Sequence, residues 1–264
     1  LRISADLPYT LRWPKQRTEY ISCFCCPPNT LRTLCEVQNY VYTLSDEGVW
    51  CNLYGGSELD TEWMGNHIQL LQETDYPWDG AVSITLKEVP EKKPLSLFLR
   101  VPEWCTKATL AVNDVPVTTD LKAGTYAEIK RIWKKGDRVA FVMGMEPVLL
   151  ESHPLVEETR NQVAVKRGPV VYCLESMDVE AGKRIDDILI PADIKFSPVK
   201  TEIAGSRVTV LDGIAHSVDS DSWEGKLYRK VAENGDRIPI RLIPYYAWGN
   251  RGESEMTVWM LLER

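Results

Sequence analysis

Apolar and polar residues alternate along most of this chain with a period of two, the period of a half-buried strand. The stretch His67-Ile68-Gln69-Leu70-Leu71-Gln72-Glu73-Thr74 alternates, as does Ala81-Val82-Ser83-Ile84-Thr85-Leu86. Residues 95–101 and 109–112 read as further strands, the latter turning at Asn113-Asp114 and returning through residues 115–118. Gly124-Thr125-Tyr126-Ala127-Glu128-Ile129 alternates, and Lys135-Gly136-Asp137 breaks the pattern before residues 138–143. Upstream, Trp50-Cys51-Asn52-Leu53-Tyr54 is strand-like and ends in Gly55-Gly56. A second set comprises residues 163–165, 170–174, 207–211, 238–243 and 256–262. Residues 175–205 and 215–236 are polar and lack a period, which predicts long loops with short strands. Short strands with turn signals every ~8–12 residues predict sandwiches or jelly rolls.

One stretch departs from this pattern. Leu31, Leu34, Cys35 and Gln38 recur at spacings of three and four, a helical period spanning residues 30–41. Pro27 and Pro28 suit the first turn of that helix, where the missing N–H groups would be unpaired anyway. Cys25 and Cys26 are therefore expected at a helix N-terminus, whose dipole favours a thiolate. Residues 1–22, with prolines at 8 and 14, read as an irregular approach to this point.

The 264 residues suffice for about two domains with real cores. A net charge of −7 and the lack of a basic stretch exclude a nucleic-acid footprint. No apolar run approaches the ~20 residues of a membrane helix, and no signal peptide is visible. Nine Trp and eleven Tyr against four Phe suit sugar-facing clefts, or equally the cores of β-sandwiches. Seven cysteines, an odd number, argue against a complete disulfide framework. Cys105 and Cys173 lie in apolar contexts and read as small buried hydrophobes. Cys23, Cys25 and Cys26 cluster within four residues and offer soft ligands, for which zinc is the natural metal. No second Cys/His pair stands at finger spacing, so such a site is open or completed from outside the chain. An unmetallated reading, three thiols near a helix start, stays open. His67, His153 and His216 read as surface or loop residues. Arg167-Gly168-Pro169 reads as shaping a strand entry, and Tyr245-Tyr246 and Trp248 as packing between domains rather than a sugar platform. The acidic loop at residues 219–224 reads as solvated, with a calcium site there as the alternative.

The segment Cys25-Cys26-Pro27-Pro28-Asn29 resembles the signature of glycoside hydrolase family 127, the β-L-arabinofuranosidase group. The likeness continues in order along the chain. It includes Phe98-Leu99-Arg100-Val101-Pro102-Glu103-Trp104, and Gly124-Thr125-Tyr126 through Arg131-Ile132-Trp133 to Gly136-Asp137. It ends with Lys166-Arg167-Gly168-Pro169-Val170-Val171-Tyr172 and Pro244-Tyr245-Tyr246-Ala247-Trp248-Gly249-Asn250-Arg251-Gly252. The resemblance implies an (α/α)6 barrel followed by β-sandwich domains, and a retaining mechanism with a zinc-bound cysteine nucleophile. It makes Cys25 the nucleophile, also touching the metal, and Cys26 a zinc ligand. In the family, a Glu-x-Cys pair and the acid/base glutamate lie earlier. This chain has no Glu-x-Cys before Cys25, and neither Glu19 nor Cys23 inherits a role.

The expectation is thus a mainly β chain of two β-sandwich or jelly-roll domains, preceded by the last helical piece of an (α/α)6 barrel. Residues 1–45 would be that piece, residues 46–149 the first sandwich and residues 150–264 the second. The expected function is hydrolysis of a terminal β-L-arabinofuranoside, or a related pectin sugar, with Zn2+ as cofactor. The expected partners are an oligosaccharide substrate and an upstream barrel, in the same polypeptide or a companion chain, with a homodimer left open. A non-catalytic carbohydrate-binding or supporting module is the rival, and a structural zinc protein a third reading. The compartment, cytoplasmic or periplasmic, stays open.

Overall fold

The computed structural model describes residues 2–3 (backbone only), 15–20, 24–218, 227–228, 230 and 235–263. In chain order the elements are β1 (Arg2–Ile3), α1 (Cys26–Glu36), β2 (Tyr42–Ser45), β3 (Gly48–Cys51), β4 (Ser57–Trp63), β5 (Asn66–Thr74), β6 (Ala81–Glu88) and β7 (Leu95–Val101). They continue with β8 (Ala108–Val112), β9 (Val115–Pro116), β10 (Thr125–Arg131), β11 (Arg138–Met143), β12 (Pro147–Leu150), β13 (Gln162–Arg167) and β14 (Val170–Glu175). The last are β15 (Ile188–Pro191), β16 (Ser197–Ile203), β17 (Ser206–Ser217), β18 (Arg237–Pro244), β19 (Met256–Thr257) and β20 (Met260–Glu263). The chain is mainly β, as its alternation predicts. It divides into two compact units, residues 22–146 and residues 1–21 with 147–264.

The first unit is a two-sheet sandwich. One sheet runs β10-β7-β3-β2 and the other β4-β5-β6-β11-β8-β9. Their inner faces supply one core, including Val49, Ile68, Leu70, Ile84, Leu97, Leu99, Trp133 and Phe141. Period-two alternation sends Leu97, Leu99 and Val101 inward while Phe98 and Arg100 face the other side. Trp133 is fully buried because its indole N–H has a partner, the Leu95 carbonyl at 2.8 Å. Strand β3 pairs in parallel with β7, and the approach at Gly48 is close. A Cβ there would meet the Ser96 carbonyl oxygen at 1.9 Å, so only glycine fits. Asn113 and Asp114, at φ of 50° and 64°, make the left-handed two-residue turn between β8 and β9 that their residue types predict.

One sequence expectation needed correction here, and two features had not been anticipated. The strand expected over residues 50–54 stops at Cys51, because Asn52 turns its backbone groups to other partners. Strand β4 was not foreseen, and along it Leu59 and Trp63 alternate inward. Strand β2 follows the helical stretch with only Val41 between it and the 3-10 turn Val37–Tyr40.

In the second unit, one sheet closes on itself. Strand β14 pairs with β18, β18 with β17, β17 with β15, β15 with β20, β20 with β13, and β13 again with β14. This ring encloses the core of Val163, Val165, Tyr172, Leu174, Leu211, Ile240, Leu242 and Met260. Closure gives nearly every inner strand two partners. Residues 256–262, expected as one strand, form β19 and β20. The chain changes partners between them, from β14 to β13 and β15. Residues 175–205, expected as long loops with short strands, hold the two strands β15 and β16. The Arg167-Gly168-Pro169 turn shapes the β13–β14 hairpin, as expected, with Gly168 at φ 56°. The acidic stretch at 219–224, with its calcium alternative, lies outside the described residues.

Phe141, fully buried between the sheets of the first unit, gives a direct test of that core. Phe141→Ala is expected to cost about 3–5 kcal/mol in denaturant-induced unfolding, the usual range for emptying an aromatic site. A cost below about 1 kcal/mol would contradict the packing described.

Candidate functional site

The Cys-Cys-Pro-Pro-Asn segment builds its own helix start. Cys25 is the N-cap and Cys26 the first residue of α1. No side chain caps the helix, and its first turn carries no acidic residue. Pro27 and Pro28 have no N–H to leave unpaired. The first donors available to the Cys25 carbonyl therefore come from Asn29. Its backbone N–H reaches that oxygen at 3.4 Å and its Nδ2 at 3.0 Å. Thr30 and Thr33 donate their hydroxyls to the carbonyls of Cys26 and Asn29 at 3.1 Å and 3.0 Å. Arg32 donates to Asn29 Oδ1 at 2.7 Å, so the motif asparagine is held from both ends.

Both cysteines of the pair are exposed, and their sulfurs stand 3.5 Å apart. That is far beyond the ~2.05 Å of a disulfide. It is close to the ~3.8 Å separating two thiolates on one tetrahedral zinc with ~2.3 Å Zn–S bonds. The pair therefore fits two vertices of a zinc site. Among the described residues, no group of three or more His, Cys, Asp or Glu could hold a metal. Cys23, the third thiol of the cluster, lies outside the described residues. Glu19 is exposed, and nothing in the structure adds a role to it.

The remaining cysteines divide by burial. Cys35 is exposed on α1, whereas Cys51, Cys105 and Cys173 are buried, the last two as their apolar contexts predict. Burial alone pushes the Cys51 thiol up to about 12, and desolvation also raises Cys105 and Cys173. Among the histidines, His67 is exposed on β5 and lies 2.8 Å from Asp60. His216 corrects the surface reading, since it is half-buried on β17 with Glu263 at 2.5 Å.

Two arrangements in the C-terminal unit were invisible in the sequence. Glu175, fully buried at the end of β14, and Asp178 both take the guanidinium of Arg251, and Glu175 also accepts from the Gly249 N–H at 2.8 Å. Arg17 lies over the Trp248 ring at 4.8 Å and donates its side chain to the Trp248 carbonyl at 3.1 Å. Its backbone N–H reaches the Gly249 carbonyl at 2.9 Å. Trp248 thus packs on a segment far from it in sequence. Only the closure of the fold joins these residues, so no spacing announces them. In a shallow groove nearby, Asp212 and Arg241 form a bidentate pair at 2.7 Å on both arms. Hydrogen bonding from Arg241 holds the Asp212 carboxyl below its ordinary range.

This fold, in chain order a short helix, a sandwich and a closed β unit, is shared with solved glycoside hydrolases. Sequence profiles of the family match twice, the "Beta-L-arabinofuranosidase, GH127 middle domain" over residues 48–145 and the "Glycoside hydrolase family 127 C-terminal domain" over residues 147–261. The chain belongs to glycoside hydrolase family 127. It is 29% identical over 253 residues to the non-reducing end β-L-arabinofuranosidase of Bifidobacterium longum subsp. longum, covering 92% of this chain and 38% of that protein. A solved structure described as a glycoside hydrolase superposes with a TM-score of 0.93 at 65% identity, over 100% of this chain and 44% of that one. A GH127 β-L-arabinofuranosidase from Geobacillus stearothermophilus T6 gives 0.85 at 37%, over 94% of this chain and 39% of that one. The chain therefore spans less than half the length of these relatives. No described helix is long and apolar enough to cross a membrane.

Burial predicts the pattern of thiol reactivity. With iodoacetamide at pH 8 and no metal, Cys25, Cys26 and Cys35 are expected to label in the folded chain. Cys51, Cys105 and Cys173 should label only after unfolding. Peptide mass spectrometry reads this directly, and native labelling of Cys51 would refute the burial assignment. The Asp212–Arg241 pair predicts a pH effect. The folded pKa of Asp212 is lowered, so its contribution is complete above the ordinary aspartate value near 3.8 and is lost as pH falls through the lower folded value. Asp212→Asn should cost up to ~1 kcal/mol at pH 7, since the pair is partly exposed, and the difference should vanish in acid denaturation below the folded value.

Proposed function

We propose that this chain is the C-terminal β portion of a retaining glycosidase acting on terminal β-L-arabinofuranosides. Cys25 is the nucleophile, and Cys25 and Cys26 are two ligands of a zinc ion. The observation that carries this reading is the exposed pair of sulfurs at 3.5 Å on a helix start, within a chain of this family. The relatives from Bifidobacterium and Geobacillus carry that activity in their names. A pectin sugar related to arabinofuranose is the variant substrate.

A retaining glycosidase needs a nucleophile on one side of the anomeric carbon and a proton donor at the leaving oxygen. Cys25 Sγ would attack the anomeric carbon as the glycosidic C–O bond breaks, leaving the sugar as a thioglycoside on Cys25. Water would then cleave the C–S bond and return the thiolate. The proton donor and the remaining metal ligands belong to the preceding segment that the relatives' greater length accommodates, expected as an (α/α)6 barrel. Zinc, when bound, supplies the positive charge that keeps both sulfurs ionised at neutral pH. This chain has reason to need it. The two prolines delete amide donors that would otherwise face an anion at the helix start, so a thiolate there draws on the helix field and on a cation.

The rival, a β module that only supports a partner or binds carbohydrate, has one observation in its favour. Among the described residues nothing completes the thiol pair. Turnover of an aryl β-L-arabinofuranoside by the full-length polypeptide separates the two readings. Cys25→Ala is expected to lose several orders of magnitude in kcat, as removal of a covalent nucleophile does. Cys26→Ser should lower the affinity for zinc, and chelation should abolish turnover in the wild type. Full turnover by Cys25→Ala would overturn the assignment.

A further inference from the structure

The helix that carries the thiol pair has little of its own to hold it in place. Every described residue of α1 is exposed or half-exposed, and Leu31 and Leu34 are each 62% exposed. Its downstream end passes through the 3-10 turn Val37–Tyr40 into β2. At that junction one side chain gathers most of the polar contacts. Asn52 donates its backbone N–H to the Val41 carbonyl at 2.9 Å. Its Nδ2 donates to the Tyr40 carbonyl at 3.3 Å and to Thr43 Oγ1 at 2.8 Å. On the opposite side Asn52 is gripped by the sandwich. Its carbonyl accepts from Arg100 Nε at 2.5 Å, and its Oδ1 accepts from the Tyr126 hydroxyl at 2.8 Å.

Those two grips are themselves fixed. Tyr54 donates its hydroxyl to the Arg100 carbonyl at 2.6 Å. Tyr126 stands edge-on to Trp50 at 4.9 Å, and Trp50 stacks on Phe98 at 3.8 Å. Arg100 and Tyr126 face each other across the β7–β10 ladder. One asparagine thus bridges the rigid outer face of the four-stranded sheet to the last turn of the helical segment.

We propose that Asn52 is a positioning residue of the thiol pair: it fastens the end of the Cys25–Cys26 helix to the β7–β10 face and so sets where the two sulfurs stand for the metal. The inference rests on the reading of Cys25 and Cys26 as zinc ligands. An asparagine suits the task because its amide donates and accepts at once, so it can join two carbonyl-rich and donor-rich surfaces. Aspartate keeps the acceptor for Tyr126 and loses the donor to Tyr40.

The test uses the full-length polypeptide and zinc itself, with affinity measured by chelator competition. Asn52→Ala and Asn52→Asp are expected to weaken zinc binding by up to about tenfold, the low end of what is lost when ligands are no longer held in orientation. They should also speed amide hydrogen exchange of residues 26–40 while leaving exchange in β5, β6 and β11 unchanged. Asn113→Ala is the matched control. Asn113 bonds Asp137 Oδ1 at 2.9 Å and the Arg138 N–H at 2.8 Å in the same sandwich, away from the helix. It should lower stability and leave zinc affinity as it was. The inference is overturned if the Asn52 variants keep wild-type zinc affinity or helix exchange, or if Asn113→Ala weakens zinc equally. If Cys26→Ser also keeps wild-type zinc affinity, the thiol-pair reading itself has failed. If Cys26→Ser weakens binding and Asn52→Ala does not, only the role of Asn52 has.

Discussion

A strand that leaves its sheet must find new partners for the backbone groups it withdraws, because buried or half-buried N–H and C=O groups left alone are costly. In this chain that obligation falls on Asn52, the first residue beyond β3. Its N–H goes to one segment and its carbonyl to another, and its side chain does the same. Much of the architecture around the thiols follows. Strand β3 can end early, the 3-10 turn gains a fixed end, and the helix beyond it acquires a direction although it buries no face of its own.

The two β units solve the problem of sheet edges differently. The first unit stacks two open sheets, so its inner faces supply one shared core and its strands alternate cleanly. The second bends one sheet until its strands meet again, and β13 ends up paired on both sides. In the closed unit the stabilising contacts cross large sequence distances. The buried Glu175 meets Arg251, and Arg17 meets Trp248, only because the ring brings them together. Glu175 illustrates the cost of breaking such a set. Fully buried, it would be left as an uncompensated charge without Arg251.

The sandwich was legible because alternation is a local property. Strands β7 and β11 fall where period-two runs bounded by turn residues place them, and the Asn113-Asp114 turn follows from two residue types that tolerate positive φ. The helix start at Cys26 was legible for the same reason, through two prolines that only a first turn accommodates. Strand β4 was missed because its exposed positions are charged and its inward residues are few. Strand β20 was merged with β19 because a change of pairing partner leaves no mark on hydropathy. The candidate site was legible only as far as its chemistry is local. Adjacent cysteines before Pro-Pro announce themselves, whereas Asn52 is one polar residue after a strand, and its importance lies in Arg100 and Tyr126, which the sequence places 48 and 74 residues away.

The double proline at the head of α1 has one more consequence. Most helices recruit a serine, threonine or aspartate to finish their first turn, which ties the end of the helix to one approach of the incoming chain. Here the first turn is finished by residues inside the motif, with Asn29 reaching back to Cys25. The motif thus supplies part of its own helix end, from an asparagine four residues inside it rather than from the usual capping position. Replacing Asn29 would loosen the turn that spaces the two sulfurs, so the fifth residue of the motif is as much a part of their geometry as the prolines are.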